Sequence, residues 1–317
     1  MSAADTWRRL SLGEVLPEPE RYPFSWPGDD AGLRESLARH GQLRPLLVLW
    51  EAGPRPVLAA GYRRAAILQG LGEGSAWVRL VAPPADRRDL WALLLEDHLA
   101  ARPLNPVEVG LYARRRTADT GEGPDDFPPA VFERLGLPPR PRVLDDFLWI
   151  ADLPPRHRDA FASGRLPLQG VRVLSRAPRD DALALLDLLA GAAVGVNKLS
   201  ELARWALECA WGRGVPLDRW LAQENLAAFS GRPDRLRLEV RRRRYPELSA
   251  WEESFREDAR ALGLPSGARL SHAPSFEGGR LSCTLSFAAL GELEEALETL
   301  LGLLRQGRLD PLGRYLG

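Results

Sequence analysis

Gly61-Tyr62-Arg63-Arg64 closes a short apolar run and opens a helical pattern, and it is the segment best suited to chemistry. A strand that ends in glycine and leads into a helix offers exposed N–H groups at the positive helix end, where anions are held. Two arginines on the first helical turn add planar forks that match phosphate oxygens. Gly61, Arg63 and Arg64 are therefore the first candidates for phosphate contacts. Asp97, His98 and Glu108 lie further along the chain and supply the titratable groups.

The elements around these residues read as α/β. Residues 15–30 are irregular because Pro17, Pro19, Pro23 and Pro27 interrupt any helix. A helix is predicted over 31–40, with Leu33 and Leu37 on one face and Gly41 as its stop. Residues 46–50 and 57–60 read as strands around a Gly53-Pro54 turn, 64–69 as a helix, 76–81 as a strand and 86–101 as a helix. From 104 to 221 the pattern is helical, with breaks at 120–129, 137–141 and 177–180. Leu183, Leu186, Leu189 and Ala190 fall near helical spacing there. The last stretch reads as a hairpin over 269–273 and 281–287, with Gly278-Gly279 in the turn, then an amphipathic helix over 290–304. A hairpin and one helix close too small a core alone, so this part should pack on preceding helices or pair with a second copy.

The bulk numbers exclude several classes. The chain has 317 residues, is 45% hydrophobic and holds 10 Trp, which fits two or three folded domains. No apolar run approaches a membrane span, and the first residues lack the apolar core of a secretion signal, so a cytoplasmic protein is expected. Cys209 and Cys283 form no metal or disulfide spacing. The four histidines, His40, His98, His157 and His272, make no ligand pair on one helix. Gly70, Gly72 and Gly74 follow a helix rather than a strand, so they read as a helix end and not a dinucleotide loop. The 43 basic residues balance 43 acidic ones, whereas a nucleic-acid binder usually carries a basic excess. Lys198 is the only lysine, and GC-rich coding accounts for an arginine bias without any functional demand.

Taken in order, several boxes resemble the ParB family of partition proteins within the ParB/sulfiredoxin superfamily. Residues 36–48 resemble its serine-to-glycine segment followed by hydrophobic-x-Pro-hydrophobic-Val. Residues 60–64 resemble its glycine-x-arginine-arginine box, and Asp97-His98 with Leu104-Asn105-Pro106-Val107-Glu108 stand where it has acid-Asn-x-x-Arg and Leu-Asn-Pro-x-Glu. Leu153-Pro154, Gly164-Arg165-Leu166 and Val173-Leu174 resemble the end of its helix-turn-helix domain. The resemblance covers roughly residues 10–178. It implies an α/β ParB/sulfiredoxin-like domain over 1–102 and an all-α helix-turn-helix-like domain over 103–231. The remaining 232–317 would form a small α+β hairpin-helix domain suited to dimerisation. It further implies CTP with Mg2+ at Gly41, Pro45, Gly61, Tyr62, Arg63, Arg64, Asp97, His98 and Glu108, and a dimeric clamp on DNA, nucleoid-associated in the cytoplasm.

The departures are specific. Tyr62 replaces a common glutamate, Asp97 falls on the family's glutamate, His98 on its asparagine and Ala101 on its arginine. Arg102 is one residue along, which on a continuing helix turns it about 100° away. A lost charge-assisted phosphate contact costs about 1.5–3 kcal/mol, so binding is expected to survive and hydrolysis to be weak at most. No catalytic residue is assigned. Position 62 is Tyr and no cysteine lies near it, which excludes sulfiredoxin chemistry. A free-serine kinase of the same superfamily would need Glu96, Asp97 or Glu108 as its acid, the only acids expected nearby.

The expected DNA contacts are Arg172, Arg176, Arg241, Arg242, Arg243 and Arg244. Residues 232–244 hold seven Arg against Asp234 and Glu239, either a phosphate patch or a solvated helix face. Against sequence-specific reading stand Pro138, Pro139, Pro141, Asp145 and Asp146 where a recognition helix should begin. The alternative is a diverged scaffold that keeps the fold to regulate a protein partner without touching DNA.

Overall fold

The chain is described from a computed structural model, which covers residues 6–26, 30–50, 55–189 and 191–316. It forms two compact units, 1–236 and 237–317, and the division falls within one helix. Residues 1–102 and 103–231 lie together in the first unit.

The first unit begins with β1 (Thr6–Ser11), β2 (Leu16–Pro17), α1 (Ala31–His40), β3 (Leu46–Leu49), β4 (Val57–Ala60), α2 (Tyr62–Gly70), β5 (Ser75–Val81) and α3 (Arg87–Leu99). The five strands form one mixed sheet in the order β1-β5-β3-β4-β2. β3 runs antiparallel to β4 and parallel to β5, while β1 pairs antiparallel with β5 at the edge. All four residues of β3 are buried, as expected for a central strand covered on both faces. On one face Leu46, Val48, Leu58 and Val78 pack with Leu37 of α1 and Ala65, Ile67 and Leu68 of α2. α3 lies against β4 and is itself buried along Leu90, Trp91, Leu94 and Leu95.

Sequence periodicity locates β3, β4, β5 and the three helices within a few residues. The Gly53-Pro54 turn and Pro27 lie outside the described residues. β1 and β2 were not expected. β1 reads Thr-Trp-Arg-Arg-Leu-Ser, whose only core-facing apolar side chain, Leu10, packs at the edge of the cluster, so its alternation is weak.

A helical layer follows: α4 (Pro106–Thr120), α5 (Pro129–Arg134), α6 (Val143–Ala151), α7 (Pro155–Ala162), α8 (Val171–Leu174), α9 (Arg179–Leu189), α10 (Val196–Gly212) and α11 (Leu217–Gln223). Asn105 caps α4 through its side chain, Glu108 returns the bond, and Pro106 occupies the first turn. The Asn-Pro-x-Glu run is thus a helix start in its own right. α4 and α6 cross so closely at Gly110 that a Cβ there would strike the Phe147 carbonyl. Backbone cannot yield as a side-chain tip can, so only glycine fits. Ala190 lies outside the described residues.

α12 (Pro233–Arg244) spans the division between units. The second unit holds α13 (Pro246–Ala261), β6 (Ala268–His272), β7 (Leu281–Leu285) and α14 (Leu290–Arg305). β6 and β7 pair antiparallel, and Gly278 and Gly279 take positive φ in their connection. Its core is Phe255, Leu262, Leu312 and Tyr315. Ala296 and Leu303 of α14 are buried, whereas Leu290, Leu297, Leu301 and Leu304 are exposed.

Candidate functional site

Gly61 takes φ 95°, left-handed, as the residue before α2. This lets β4 turn directly into the helix. A Cβ there would sit 2.8 Å from Leu46 Cδ2, so both conformation and space require glycine. The turn aims the α2 N-terminus into a cavity of about 330 Å3, in the size range of small-molecule sites. Arg44, Arg63, Arg64 and Arg102 line it, with Asp97 and His98 from the end of α3.

Each arginine already has oxygen partners. Arg63 pairs with Asp30, its Nε 2.6 Å from Oδ1. Arg64 Nη1 donates to the carbonyls of Arg44 at 3.0 Å and Pro45 at 2.7 Å, which ties α2 to the start of β3. Its Nη2 lies 4.0 Å from Asp97, and Arg44 Nη2 lies 3.5 Å from the same carboxylate. Burial lowers the Arg64 pKa and Asp97 partly restores it; the guanidinium stays charged. Among the described residues, the remaining charged edges of Arg44, Arg63 and Arg64 are set against two carboxylates, Asp30 and Asp97. An anion with several oxygens suits that arrangement.

Arg102 departs from expectation. α3 ends at Leu99, so the helical rotation assumed for Arg102 does not apply. The chain turns, Arg102 lines the cavity, and it grips Glu108 with both terminal nitrogens at 2.7 and 2.5 Å. Glu108 itself is fully buried and does not line the cavity. It also accepts from the Asn105 N–H and from the Trp26 N–H, each at 3.0 Å. His98 Nε2 stands 3.7 Å away. Burial alone would raise this carboxyl, but His98, Arg102 and the Asn105 N–H outweigh it and hold the pKa at about 2.

The far wall comes from residues 22–25, which composition had marked only as irregular. Tyr22 and Phe24 are buried, and Phe24 packs on Trp91, Tyr112 and His98 with ring centroids 6.3, 5.3 and 5.0 Å apart. Arg87 donates to Tyr22 Oη at 2.8 Å. Trp26 Nε1 donates to Asp159 of α7 at 2.7 Å, and Arg158 lies over its ring at 3.9 Å. Tyr22, Phe24 and Trp26 alternate, the period of an extended segment laid on a core, a signal that the surrounding prolines mask in the sequence.

Of the expected residues, Gly61, Tyr62, Arg63, Arg64, Asp97 and His98 meet at the cavity. Tyr62 turns its hydroxyl to the Leu58 and Glu18 carbonyls at 2.5 and 3.2 Å, and burial raises its pKa well above the ordinary value. Gly41 and Pro45 are not among the lining residues; Pro45 contributes only its carbonyl to Arg64. Glu96 pairs with Arg134 outside the cavity, and Asp30, unforeseen, is the second acid beside the arginines. Among the described residues no cluster of three ligating side chains could hold a metal by itself.

The arginines expected on DNA are largely engaged. Arg241 forms a bidentate pair with Glu252, Arg242 and Arg243 pair with Glu239, and Arg244 lies over the Tyr245 ring. Arg172 lies 3.5 Å from Asp146. Arg176 acts on Asp146 electrostatically.

No protein-family model matches the chain, and no curated protein does. Among solved structures it is similar to the C-terminally truncated chromosome-partitioning protein ParB from Caulobacter crescentus complexed to the centromeric parS site. That likeness has 20% identity, covers 62% of this chain and 97% of that one, and has a TM-score of 0.30. The same protein complexed with CTP-gamma-S gives 16% identity, 58% and 98% coverage, and a TM-score of 0.27. At this overlap neither likeness carries weight, and the functional reading rests on the residues of the cavity. No described helix is long and apolar enough to cross a membrane.

Glu108 yields a direct test. Its folded pKa lies below the ordinary 4.5, so its contribution is complete above about pH 4.5 and is lost as pH falls toward about 2. The shift corresponds to about 3 kcal/mol. Glu108→Gln is expected to lower the melting temperature at pH 7, with the gap to wild type narrowing below pH 4. Parallel melting curves across that range would contradict the assignment.

Proposed function

We propose that the cavity binds the phosphates of a nucleoside triphosphate of the CTP type, and that the chain is a ParB-like clamp or regulator of chromosome or plasmid partition. One observation carries the reading: Arg44, Arg63, Arg64 and Arg102 line one cavity into which a glycine-started helix opens. The boxes at 36–48, 60–64 and 97–108 support CTP as the nucleotide. Arg63 and Arg64 would take phosphate oxygens, with Arg63 exchanging Asp30 for the ligand. Mg2+ carried by a nucleotide needs only one or two protein carboxylates, and among the described residues Asp97 is the acid that lines the cavity.

A clamp needs two copies, and α14 offers the means. Leu290, Leu293, Leu297, Leu300 and Leu304 repeat at alternating steps of three and four, the spacing of a two-helix seam. Three of them are exposed, Leu290 by 79%, Leu297 by 46% and Leu304 by 58%. A second copy covers that seam in this reading.

A second reading is favoured by the pairing of Arg241, Arg242 and Arg243 with Glu239 and Glu252, which leaves less charge for DNA. It is a scaffold that keeps nucleotide binding and regulates a protein partner.

Calorimetric titration with CTP, ATP and GTP in magnesium should give CTP binding in wild type and a loss of at least tenfold in Arg63→Ala/Arg64→Ala. No heat at millimolar CTP would sink the nucleotide reading. Duplex DNA affinity should fall steeply between 50 and 200 mM salt if phosphates are contacted; a flat response or no binding selects the scaffold. Sedimentation should show a dimer at micromolar concentration and a monomer for Leu297→Glu/Leu304→Glu. A monomeric wild type overturns the seam.

A further inference from the structure

We propose that the outer face of β1 and β5 binds single-stranded nucleic acid, stacking bases on Trp7 and Trp77 and holding phosphates with Arg9 and Arg79. This site is separate from the nucleotide cavity and does not depend on it. Trp7 stands opposite Arg79, and Arg9 stands opposite Trp77, in the β1–β5 ladder. Side chains alternate across a strand, so all four share one face and form a checkerboard of ring and guanidinium.

The face lies open. Trp7 is 63% and Trp77 48% exposed, and the Arg9 side chain is 59% exposed. On β3 the same face carries Leu47, beside Arg79 in register, and Leu47 is buried. The cover of the sheet therefore ends between β3 and β5. Beyond it two large exposed rings stand at diagonal positions of one ladder.

The geometry is also held in place. Gln42 accepts from the Trp77 N–H and donates to its carbonyl, both at 2.7 Å. Arg9 Nε donates to Ser75 Oγ at 2.8 Å, and Glu73 lies 4.0 Å from its Nη2 at the rim. Diagonal cross-strand positions are about 7–8 Å apart, which separates two stacking platforms without letting one base cover both. Stacking on aromatic rings beside arginines is how single strands are held without sequence preference.

Other occupants fit less well. An apolar partner would have to take two charged guanidiniums, interleaved with the rings, out of water. Self-pairing of β1 centred on Arg8 or Arg9 would set like charges directly opposite each other.

The test uses the full chain and a labelled oligo(dT) of about twelve nucleotides, followed by anisotropy at low salt. Wild type should bind, Trp7→Ala/Trp77→Ala should weaken binding at least tenfold, and Trp7→Phe/Trp77→Phe should restore most of it. Duplex affinity should stay unchanged in both pairs, which keeps this face distinct from any duplex contact elsewhere. Unaltered oligo(dT) affinity in the alanine pair, failure of the phenylalanine pair to rescue, or no binding by wild type would overturn the proposal. Capture of an acidic peptide instead, lost in the alanine pair, would assign the face to a protein and equally overturn it.

Discussion

The buried carboxylate of Glu108 joins its own helix start and the α3–α4 connection to a segment more than eighty residues earlier. It caps the N-terminus of α4 through Asn105, fixes Arg102 at the rim of the cavity, and accepts the Trp26 N–H of the segment that forms the far wall. A fully buried carboxylate is tolerated only when its oxygens are satisfied, and here four donors satisfy them. Any substitution that removes one partner strands another. The cavity wall, the α3–α4 connection and the start of the helical layer therefore stand or fall together.

A second constraint is the Gly61 turn. Because β4 ends in a left-handed residue, Arg63 and Arg64 fall on the first turn of α2, facing the cavity rather than the sheet. Arg64 is then spent partly on structure, holding the Arg44 and Pro45 carbonyls, while Arg63 is tied to a half-exposed aspartate. The two neighbours thus differ in role: one fixes the loop before β3, and the other is placed to exchange its acid for a ligand. The asymmetry between these adjacent arginines arises from their partners, two backbone carbonyls for Arg64 and the Asp30 carboxylate for Arg63.

The central strands and helices were legible because their apolar residues recur at the periods of a covered strand or a helix. Gly61-Tyr62-Arg63-Arg64 was legible for the same reason: strand, glycine and helix start appear in order. What the sequence hid was contact at a distance. β1 holds one ring and two adjacent arginines, so its single core-facing Leu10 gave no alternation. Residues 22–26 were obscured by proline, although their three aromatics alternate. Arg102 lines the cavity, where helical spacing alone would turn it away, because the helix stops at Leu99. The charge run at 241–244 did not show its partners, since the acids that engage residues 241–243 include Glu252 on the following helix.

The most direct measurement is hydrogen exchange of the full chain with and without CTP and magnesium. Slower exchange is expected at the α2 amides of residues 62–65 and in residues 22–26, the two walls of the cavity. Unchanged exchange in both segments at saturating CTP, or protection confined to the second unit, would contradict the account.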